Sequence, residues 1–235
     1  FDSLASNMTL DDYAYDYSDV FVQEVATGRI VNLTYYALYA GLWTNGACYA
    51  PSISADGRYV AFTSDATNLD PYTTDSNGCS DIYVCDRDPD GNGTLDEYFP
   101  TFTRVSVDAL GAEAWSRSWL PTISADGMRV LFLSDAENLV TEDYNGATDA
   151  FLRDRWNGTT ERVDLPHWTT GTAEADYDCR WCDLSADGWT VAFDSWSDNL
   201  VQGDTNGRSD VFIRNLAAGE TSRVSVSTYN YEGDG

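Results

Sequence analysis

The chain has 235 residues, of which 43% are hydrophobic, enough for one sizeable domain or for several repeats that share one core. Its 39 acidic residues, 30 of them aspartate, stand against 13 arginines and no lysine, so the formal charge is −26. This charge disfavours binding to nucleic acid, and no run of about 18 apolar residues predicts membrane insertion. The many aspartates favour either cation binding or solubility in a salty medium.

The predicted elements repeat along the chain. The pattern Phe-Xaa-Ser occurs at residues 1–3, 62–64, 132–134 and 193–195, and Ser-Ala-Asp-Gly precedes the last three copies at residues 54–57, 124–127 and 185–188. Further on in each copy an aspartate opens an alternating apolar segment, at Asp19, Asp81, Asp149 and Asp210. The Asp-Gly pair suits a tight hairpin turn, so each unit predicts four short antiparallel strands, the last of them like residues 104–107 or 223–226.

Four strands in each repeat predict an all-β fold, a β-propeller of about four four-stranded antiparallel blades. Residues 1–235 then form one domain, with units at about 1–61, 62–131, 132–192 and 193–235. A β-sandwich is the main alternative, but it does not explain four copies of one pattern. Only three copies carry the preceding hairpin, so we expect one blade to lack a strand within this chain. A longer parent chain or a neighbouring molecule would supply it, and the first residue, Phe1, indicates a trimmed product.

The residues that carry the hairpins also resemble a known family. Residues 51–62, Pro-Ser-Ile-Ser-Ala-Asp-Gly-Arg-Tyr-Val-Ala-Phe, resemble the WD40-like PD40 repeat of TolB-type propellers, and so do residues 120–132. Residues 204–212 are similar to a loop of secreted bacterial and archaeal members. The resemblance covers essentially the whole chain and implies a propeller fold. It says little about function, because such propellers act as scaffolds, binding platforms and occasionally enzymes.

The strongest chemical motif lies between the third and fourth strands of the second unit. Residues 88–97 read Asp-Pro-Asp-Gly-Asn-Gly-Thr-Leu-Asp-Glu, which follows the spacing of an EF-hand loop. This spacing predicts a Ca2+ ion bound by oxygen atoms of Asp88, Asp90, Asn92, Thr94 and Asp96. The bidentate glutamate that ends an EF-hand loop is replaced by Phe99, so Glu97 or water would complete the shell. An acidic hairpin without metal is the alternative.

A weaker set of candidate ligands recurs between the second and third strands. Each copy reads Asp-Xaa-Asn-Gly and is followed by the aspartate that opens the third strand. These copies supply further candidate calcium ligands: Asp75, Asn77, Asp81, Asp143, Asn145, Asp149, Asp204, Asn206 and Asp210. An Asn-Gly turn whose aspartates cap backbone amides is an equal alternative. The first unit keeps only Asp11 and Asp19, because Tyr13 and Tyr15 replace the other ligands.

No complete catalytic site is predicted, so we expect the protein not to be an enzyme. His167 is the only histidine, and serine, cysteine and zinc chemistry usually need histidine. The absence of lysine excludes a P-loop and Schiff-base chemistry. Paired carboxylates can hydrolyse glycosides, but 30 aspartates single out no pair. A polysaccharide-acting hydrolase or lyase is therefore an alternative without named residues.

Cysteines and glycosylation sequons favour an extracellular or cell-surface location. We expect structural disulfides among Cys48, Cys79, Cys85, Cys179 and Cys182, with one thiol left over. Sequons begin at Asn7, Asn32, Asn92 and Asn157. The many aromatic residues are expected to pack between blades. A glycan- or protein-binding face is the alternative for those in loops: Trp43, Trp115, Trp119, Trp168, Trp181 and Trp196.

These predictions combine into a non-enzymatic, calcium-binding propeller that acts outside the cell as a scaffold or as a recognition module for a protein or glycan ligand. The main alternative is a protomer that polymerises with copies of itself. Strand exchange at the incomplete blade would then build a filament or a surface layer.

Overall fold

The computed structural model describes residues 1–5, 8, 17–34, 44–70, 73–96, 100–167, 174–229 and 231–233, and the regular structure within them is β-strand. The strands form four antiparallel sheets, here called blades 1 to 4. Blade 1 contains β1 (Asp2–Ser3), β2 (Asp19–Gln23) and β3 (Ile30–Asn32). Blade 2 contains β4 (Cys48–Ile53), β5 (Tyr59–Ser64), β6 (Asp81–Asp86) and β7 (Thr101–Arg104). Blade 3 contains β8 (Ser118–Ile123), β9 (Arg129–Ser134), β10 (Asp149–Asp154) and β11 (Thr159–Arg162). Blade 4 contains β12 (Cys179–Leu184), β13 (Thr190–Ser195), β14 (Asp210–Asn215) and β15 (Glu220–Arg223). No helix in this part of the chain has the length and apolar character needed to span a bilayer.

Each blade is a meander whose strands pair in chain order. The Ser-Ala-Asp-Gly segments form the first turn, where the Ser54 hydroxyl donates to Asp56 at 2.6 Å and accepts the amide of Tyr59 at 2.9 Å. Gly57 has φ +75°, a left-handed conformation that glycine adopts without steric strain. The same bonds recur around Ser124 and Ser185. The repeat therefore fixes its hairpin locally, as its sequence predicts.

Successive blades pack face to face through apolar clusters. In each joint, one residue of the third strand and one residue just after the fourth strand of a blade contact two aromatic residues of the next blade. In blade 1, β2 and β3 take the places of the third and fourth strands. These sets are Val20 and Leu33 with Phe62 and Tyr83, Ile82 and Val105 with Phe132 and Phe151, and Ala150 and Val163 with Phe193 and Phe212. Sheets stacked in succession through one recurring joint make the chain a β-propeller. Its described part has three four-stranded blades and one three-stranded blade, so the predicted fold class is confirmed.

Backbone hydrogen bonds also join the blades. The amide of Ala55 in the first turn of blade 2 donates to the carbonyl of Ala125 in blade 3 at 2.9 Å. The amide of Ala125 in turn donates to Ala186 in blade 4 at 2.8 Å. At the other end of the first strand, the amide of Cys179 donates to Thr148 of the preceding blade at 2.8 Å. Blades 2 to 4 are thus each joined to a neighbouring blade at both ends of their first strand.

The predicted disulfides are wrong, because all five cysteines are free thiols. Cys48 and Cys85 lie on β4 and β6, which flank β5 and do not touch each other in the sheet. Cys179 and Cys182 lie on the same strand, β12, where the Cys179 thiol donates to the carbonyl of Trp181 at 3.4 Å. Burial raises the pKa of Cys48 to about 12, so this thiol acts as a core residue.

Candidate functional site

Three blades carry the same buried charge cluster at the start of the third strand. The aspartate that opens this strand is at most 2% exposed in each: Asp81, Asp149 and Asp210. Because the third and fourth strands are antiparallel, the arginine that ends the fourth strand lies beside this aspartate. The distance from its Nη1 to the carboxylate Oδ2 is 3.1 Å for Arg104, 3.4 Å for Arg162 and 3.3 Å for Arg223. The positive charge beside these candidate calcium ligands is therefore a guanidinium of the same blade.

A glutamate from the segment that follows each of these blades joins the cluster. The nitrogen–oxygen distances are 2.8 Å for Arg104 and Glu113, 3.6 Å for Arg162 and Glu174, and 2.9 Å for Arg223 and Glu232. Antiparallel bridges from Val107 to Glu113 and from Val226 to Glu232 hold two of these segments. Sequence reasoning missed the glutamates, since their distance from the aspartates varies between copies. The only signal was an acidic residue shortly after each Arg-Val segment.

Blade 2 differs from blades 3 and 4 in the contacts made by the aspartate that begins its Asp-Xaa-Asn-Gly loop. Asp143 lies 3.2 Å from Arg162, and Asp204 lies 2.9 Å from Arg223. In contrast, both carboxylate oxygens of Asp75 are buried and have no hydrogen-bond partner among the described residues. Among the same residues, Asp75, Asp81 and Glu113 are the one group of three acidic, histidine or cysteine side chains whose ligand atoms lie within 4.8 Å of one another. As in the other two blades, one arginine, here Arg104, supplies one positive charge for three carboxylates.

The titration of this group reflects the shortage of positive charge. Burial, reinforced by the negative charge of Asp81, raises the pKa of Asp75. Burial also raises the pKa of Asp81, although a hydrogen bond from Ser106 and the charge of Arg104 oppose it. For Glu113 burial is outweighed by hydrogen bonds from Ser76 and by Arg104, which together lower its pKa. Asp75 and Asp81 therefore hold their protons more tightly than exposed aspartates do.

The asparagines of the three predicted loops do not turn their oxygens toward the clusters. The Nδ2 of Asn77 donates to Asp81 at 3.4 Å and to the carbonyl of Ala114 at 2.9 Å, while its Oδ1 accepts the amide of Cys79 at 2.7 Å. Asn145 and Asn206 make the same three contacts. In this arrangement the asparagine is a turn residue that ties the loop to the next segment, and its oxygen is already engaged.

The EF-hand-like loop brings part of its predicted ligand set together. The two oxygens of Asp88 accept the amides of Asn92 and Gly93, each at 3.0 Å, and the Nδ2 of Asn92 donates to Asp90 at 3.0 Å. The amide of Thr94 donates to the Oδ1 of Asn92 at 2.7 Å. Asp96 instead forms a two-pronged ion pair with Arg87, at 2.8 and 2.5 Å. Asp88, Asp90 and Asn92 therefore form one group that Asp96 does not join, and Glu97 and Phe99 lie outside the described residues.

Asp164 enlarges the cluster of blade 3 and was missed by sequence reasoning. It is 0% exposed, and neither of its carboxylate oxygens has a hydrogen-bond partner among the described residues. In blades 1, 2 and 4 the same position holds a residue with a hydroxyl group. This hydroxyl donates a hydrogen bond to the aspartate that opens the third strand of its blade, and the residues are Thr34, Ser106 and Ser225. Burial and then the negative charge of Asp149 raise the pKa of Asp164 well above its ordinary value. The same two causes raise the pKa of Asp143 to about 7. The sequence did contain a signal for Asp164. Residues 162–165 read Arg-Val-Asp-Leu, whereas the corresponding residues 104–107 and 223–226 read Arg-Val-Ser-Val.

The remaining predicted positions are distributed over the surface and the joints. Asn92 and Asn157 are exposed sequon residues, whereas Asn32 is only 5% exposed. Trp119 packs in the joint between blades 3 and 4, while the other described loop tryptophans are exposed: Trp115, Trp181 and Trp196. Several positions lie outside the described residues: Asn7, Asp11, Tyr13, Tyr15, Trp43 and Trp168.

Comparisons with known proteins extend no further than the fold. No family model matches the chain. No curated protein matches it either. Among solved structures, TolB from Acinetobacter baumannii is 19% identical, with a TM-score of 0.49 over 94% of this chain and 41% of that one. The β-propeller domain of the trilobed protease from Pyrococcus furiosus is 12% identical, with a TM-score of 0.42 over 76% of this chain and 42% of that one. For the tricorn protease the identity is 16% and the TM-score 0.46, over 89% of this chain and 19% of that one. The chain thus spans less than half the length of these proteins, and their activities are not carried over.

Proposed function

We propose that the chain is a non-catalytic, extracellular propeller that binds calcium between its blades and acts as a scaffold or recognition module. The group formed by Asp75, Asp81 and Glu113 is its principal ion site. All the available donors are oxygen atoms, three carboxylates and the main-chain carbonyl of Thr74 nearby, and calcium prefers such hard ligands. A net charge of −26 raises the local concentration of cations around the whole surface.

The observation that carries this proposal is the state of Asp75. A buried polar group without a partner costs about 1–3 kcal/mol, and more when it is charged. Both oxygens of Asp75 are in this state beside two further carboxylates, whereas its counterparts in blades 3 and 4 contact an arginine. A divalent ion would satisfy Asp75 and neutralise its neighbours. Because Arg104 already occupies one side of the group, we expect an affinity of about 0.1–1 mM, the range of extracellular calcium modules.

The loop at residues 88–96 is the second ion site of this proposal. Its support is the grouping of Asp88, Asp90 and Asn92. Binding there requires water to take the place of Asp96, which is paired with Arg87. We therefore assign this loop the weaker affinity of the two.

The test compares thermal unfolding in calcium and in chelator. Free calcium at 100 times its dissociation constant stabilises a protein by about 2.7 kcal/mol, which for this length raises the unfolding temperature by about 5–10 °C. Asp75→Asn should abolish most of this shift. In chelator the same variant should unfold at a higher temperature than the unaltered protein, because the substitution removes a carboxyl that lacks a partner.

Two further variants locate the ion. Asp176→Asn makes the same chemical change at an exposed aspartate and should leave the calcium response intact. Asp90→Asn reports on the loop at residues 88–96, so loss of the response in this variant alone would place the ion there. Equal unfolding temperatures of the unaltered protein in chelator and at 100 times the expected dissociation constant, about 10–100 mM calcium, would refute calcium binding altogether.

A further inference from the structure

Glu113 is shared between two blades. Its carboxylate lies in the acidic group of blade 2, where the amide of Ser76 donates to it at 3.2 Å. Its main-chain carbonyl accepts a hydrogen bond of 2.8 Å from the Nδ2 of Asn138, which lies between the second and third strands of blade 3. The Oδ1 of the same asparagine accepts the amide of Trp115 at 2.8 Å. One side chain of blade 3 therefore binds the main chain on both sides of residue 114.

The residue between these two bonds belongs to the core of the joint. Ala114 is 0% exposed and packs in the cluster that joins blades 2 and 3, together with Ala136 and Leu139 from the same loop of blade 3. Its carbonyl accepts the Nδ2 of Asn77, in the acidic loop of blade 2, at 2.9 Å. This short segment thus contains a proposed ion ligand, a buried joint residue and contacts to both blades.

In the acidic group itself, the link between the loop of blade 2 and Glu113 is incomplete. Arg104 lies 3.1 Å from Asp81 and 2.8 Å from Glu113. Both oxygens of Asp75 lack a hydrogen-bond partner among the described residues. In blade 3, by contrast, Arg162 lies within 3.6 Å of all three corresponding carboxylates. An ion coordinated by Asp75 and Glu113 together would supply in blade 2 the connection that the arginine makes in blade 3.

We propose that calcium binding in blade 2 and the docking of blade 3 are coupled, with Asn138 as a positioning residue for the ligand Glu113. The inference rests on the calcium site proposed above and adds to it a role for the neighbouring blade. A docked blade 3 holds Glu113 where the ion needs it, and a bound ion holds the segment on which blade 3 packs. By linkage, the effect in one direction equals in size the effect in the other. The joint between blades 3 and 4 lies outside this coupling, because Arg162 connects its carboxylates without an ion.

The first test measures calcium affinity by isothermal titration calorimetry, below the unfolding temperature of each variant. Asn138→Ala removes the bond to Glu113 without changing a carboxylate, and it should weaken calcium binding about 3–10-fold. Asn199→Ala is the matched control. It removes the corresponding bond of the next joint, from Asn199 to the carbonyl of Glu174 at 2.7 Å, and should change the affinity by less than about 2-fold. Unchanged affinity in Asn138→Ala, or equal losses in the two variants, would overturn the coupling.

The second test uses the unaltered protein, so it does not depend on the folding of a variant. The amide of Ser118, the first residue of β8, donates to the carbonyl of Ser80 in blade 2 at 2.7 Å. An opening that undocks blade 3 also displaces Glu113. Free calcium at 100 times its dissociation constant should therefore slow the hydrogen exchange of this amide by up to about 100-fold.

The two measurements together separate the coupling from the ion site. Equal exchange of the Ser118 amide in calcium and in chelator, in protein that calorimetry shows to bind calcium, would refute the coupling and leave the ion site standing. Absence of calcium binding in calorimetry would remove the ion site and the coupling together.

Discussion

Replacing Asp164 by serine should stabilise the protein at neutral and alkaline pH. In blade 2 the hydroxyl of Ser106 donates to Asp81 at 2.6 Å and accepts the amide of Ile82 at 3.1 Å, so the buried carboxylate has a donor. Asp164 occupies this position in blade 3 and faces Asp149 as a second acid. Asp164→Ser would give blade 3 the arrangement that blade 2 already has.

The expected gain follows from two contributions. Removing a buried carboxyl without a partner recovers about 1–3 kcal/mol, and a hydrogen bond from serine to a charged acceptor adds about 1.5–3 kcal/mol. The smaller side chain leaves a small void, which costs about 1 kcal/mol. We therefore expect the free energy of unfolding to rise by about 1.5–5 kcal/mol at pH 8, and the unfolding temperature by about 3–20 °C.

This gain should depend on pH in a defined direction. The pKa of Asp164 in the folded protein is raised above the value of about 3.9 in the unfolded chain. Its contribution to stability is fully present below the unfolded pKa and is lost as the pH rises through the folded pKa. At low pH the protonated Asp164 can itself donate to Asp149. The difference between Asp164→Ser and the unaltered protein should therefore be small at pH 4 and grow toward pH 8.

Urea unfolding at several pH values measures both effects. The reciprocal change Ser106→Asp in blade 2 is the matched control, and it should destabilise by a similar amount at pH 8 and by less at pH 4. Loss of stability in Asp164→Ser at pH 8, or a gain that does not change with pH, would refute the assignment of Asp164 as an uncompensated buried acid.

Three further changes test other parts of the structure. Arg104→Met leaves the carboxylates of blade 2 without a counter-charge and should lower the free energy of unfolding by about 3–5 kcal/mol at pH 7, and by less at pH 4, in urea titrations. Gly127→Ala places a Cβ against the Tyr59 ring, whereas in Gly158→Ala the φ angle is similar but the nearest atom lies 3.9 Å away. Gly127→Ala should therefore destabilise the protein by more than Gly158→Ala does. Equal unfolding temperatures for the two variants would contradict the close contact. Thiol titration should find five reactive cysteines in denaturant without reductant and at most one, Cys79, in the folded protein. Fewer than five reactive thiols in denaturant would show that the protein contains a disulfide.

The blades could be predicted from the sequence because their signals are local. A hydroxyl, an aspartate and a glycine within four residues fix the first turn, as the bonds of Ser54 to Asp56 and Tyr59 show. The aspartates that open the third strands recur with that turn, so the order of strands follows. The three strands that blade 1 has among the described residues could also be predicted, since residues 1–3 lack the hairpin that precedes the other copies.

The chemistry of the clusters could not be predicted in the same way, because it depends on pairing between distant residues. Arg104 is 23 residues from Asp81 in the chain, and only the antiparallel pairing of β6 and β7 brings them within 3.1 Å. The sequence Asp-Xaa-Asn-Gly is equally compatible with a metal loop and with a turn, since residue type does not say which atom of Asn77 faces inward. Cysteine spacing has the same limit, because it does not reveal that β5 separates Cys48 from Cys85.

The amide relay from Ala55 through Ala125 to Ala186 has a consequence for how such a molecule can change during evolution. The middle turn, at Ala125, donates one hydrogen bond to its follower and accepts one from its predecessor, so duplicating or deleting a whole repeat leaves the balance of donors and acceptors unaltered. Gene duplication can therefore lengthen or shorten the array one unit at a time. A partial unit would interrupt the relay, which makes the complete repeat the natural step of variation.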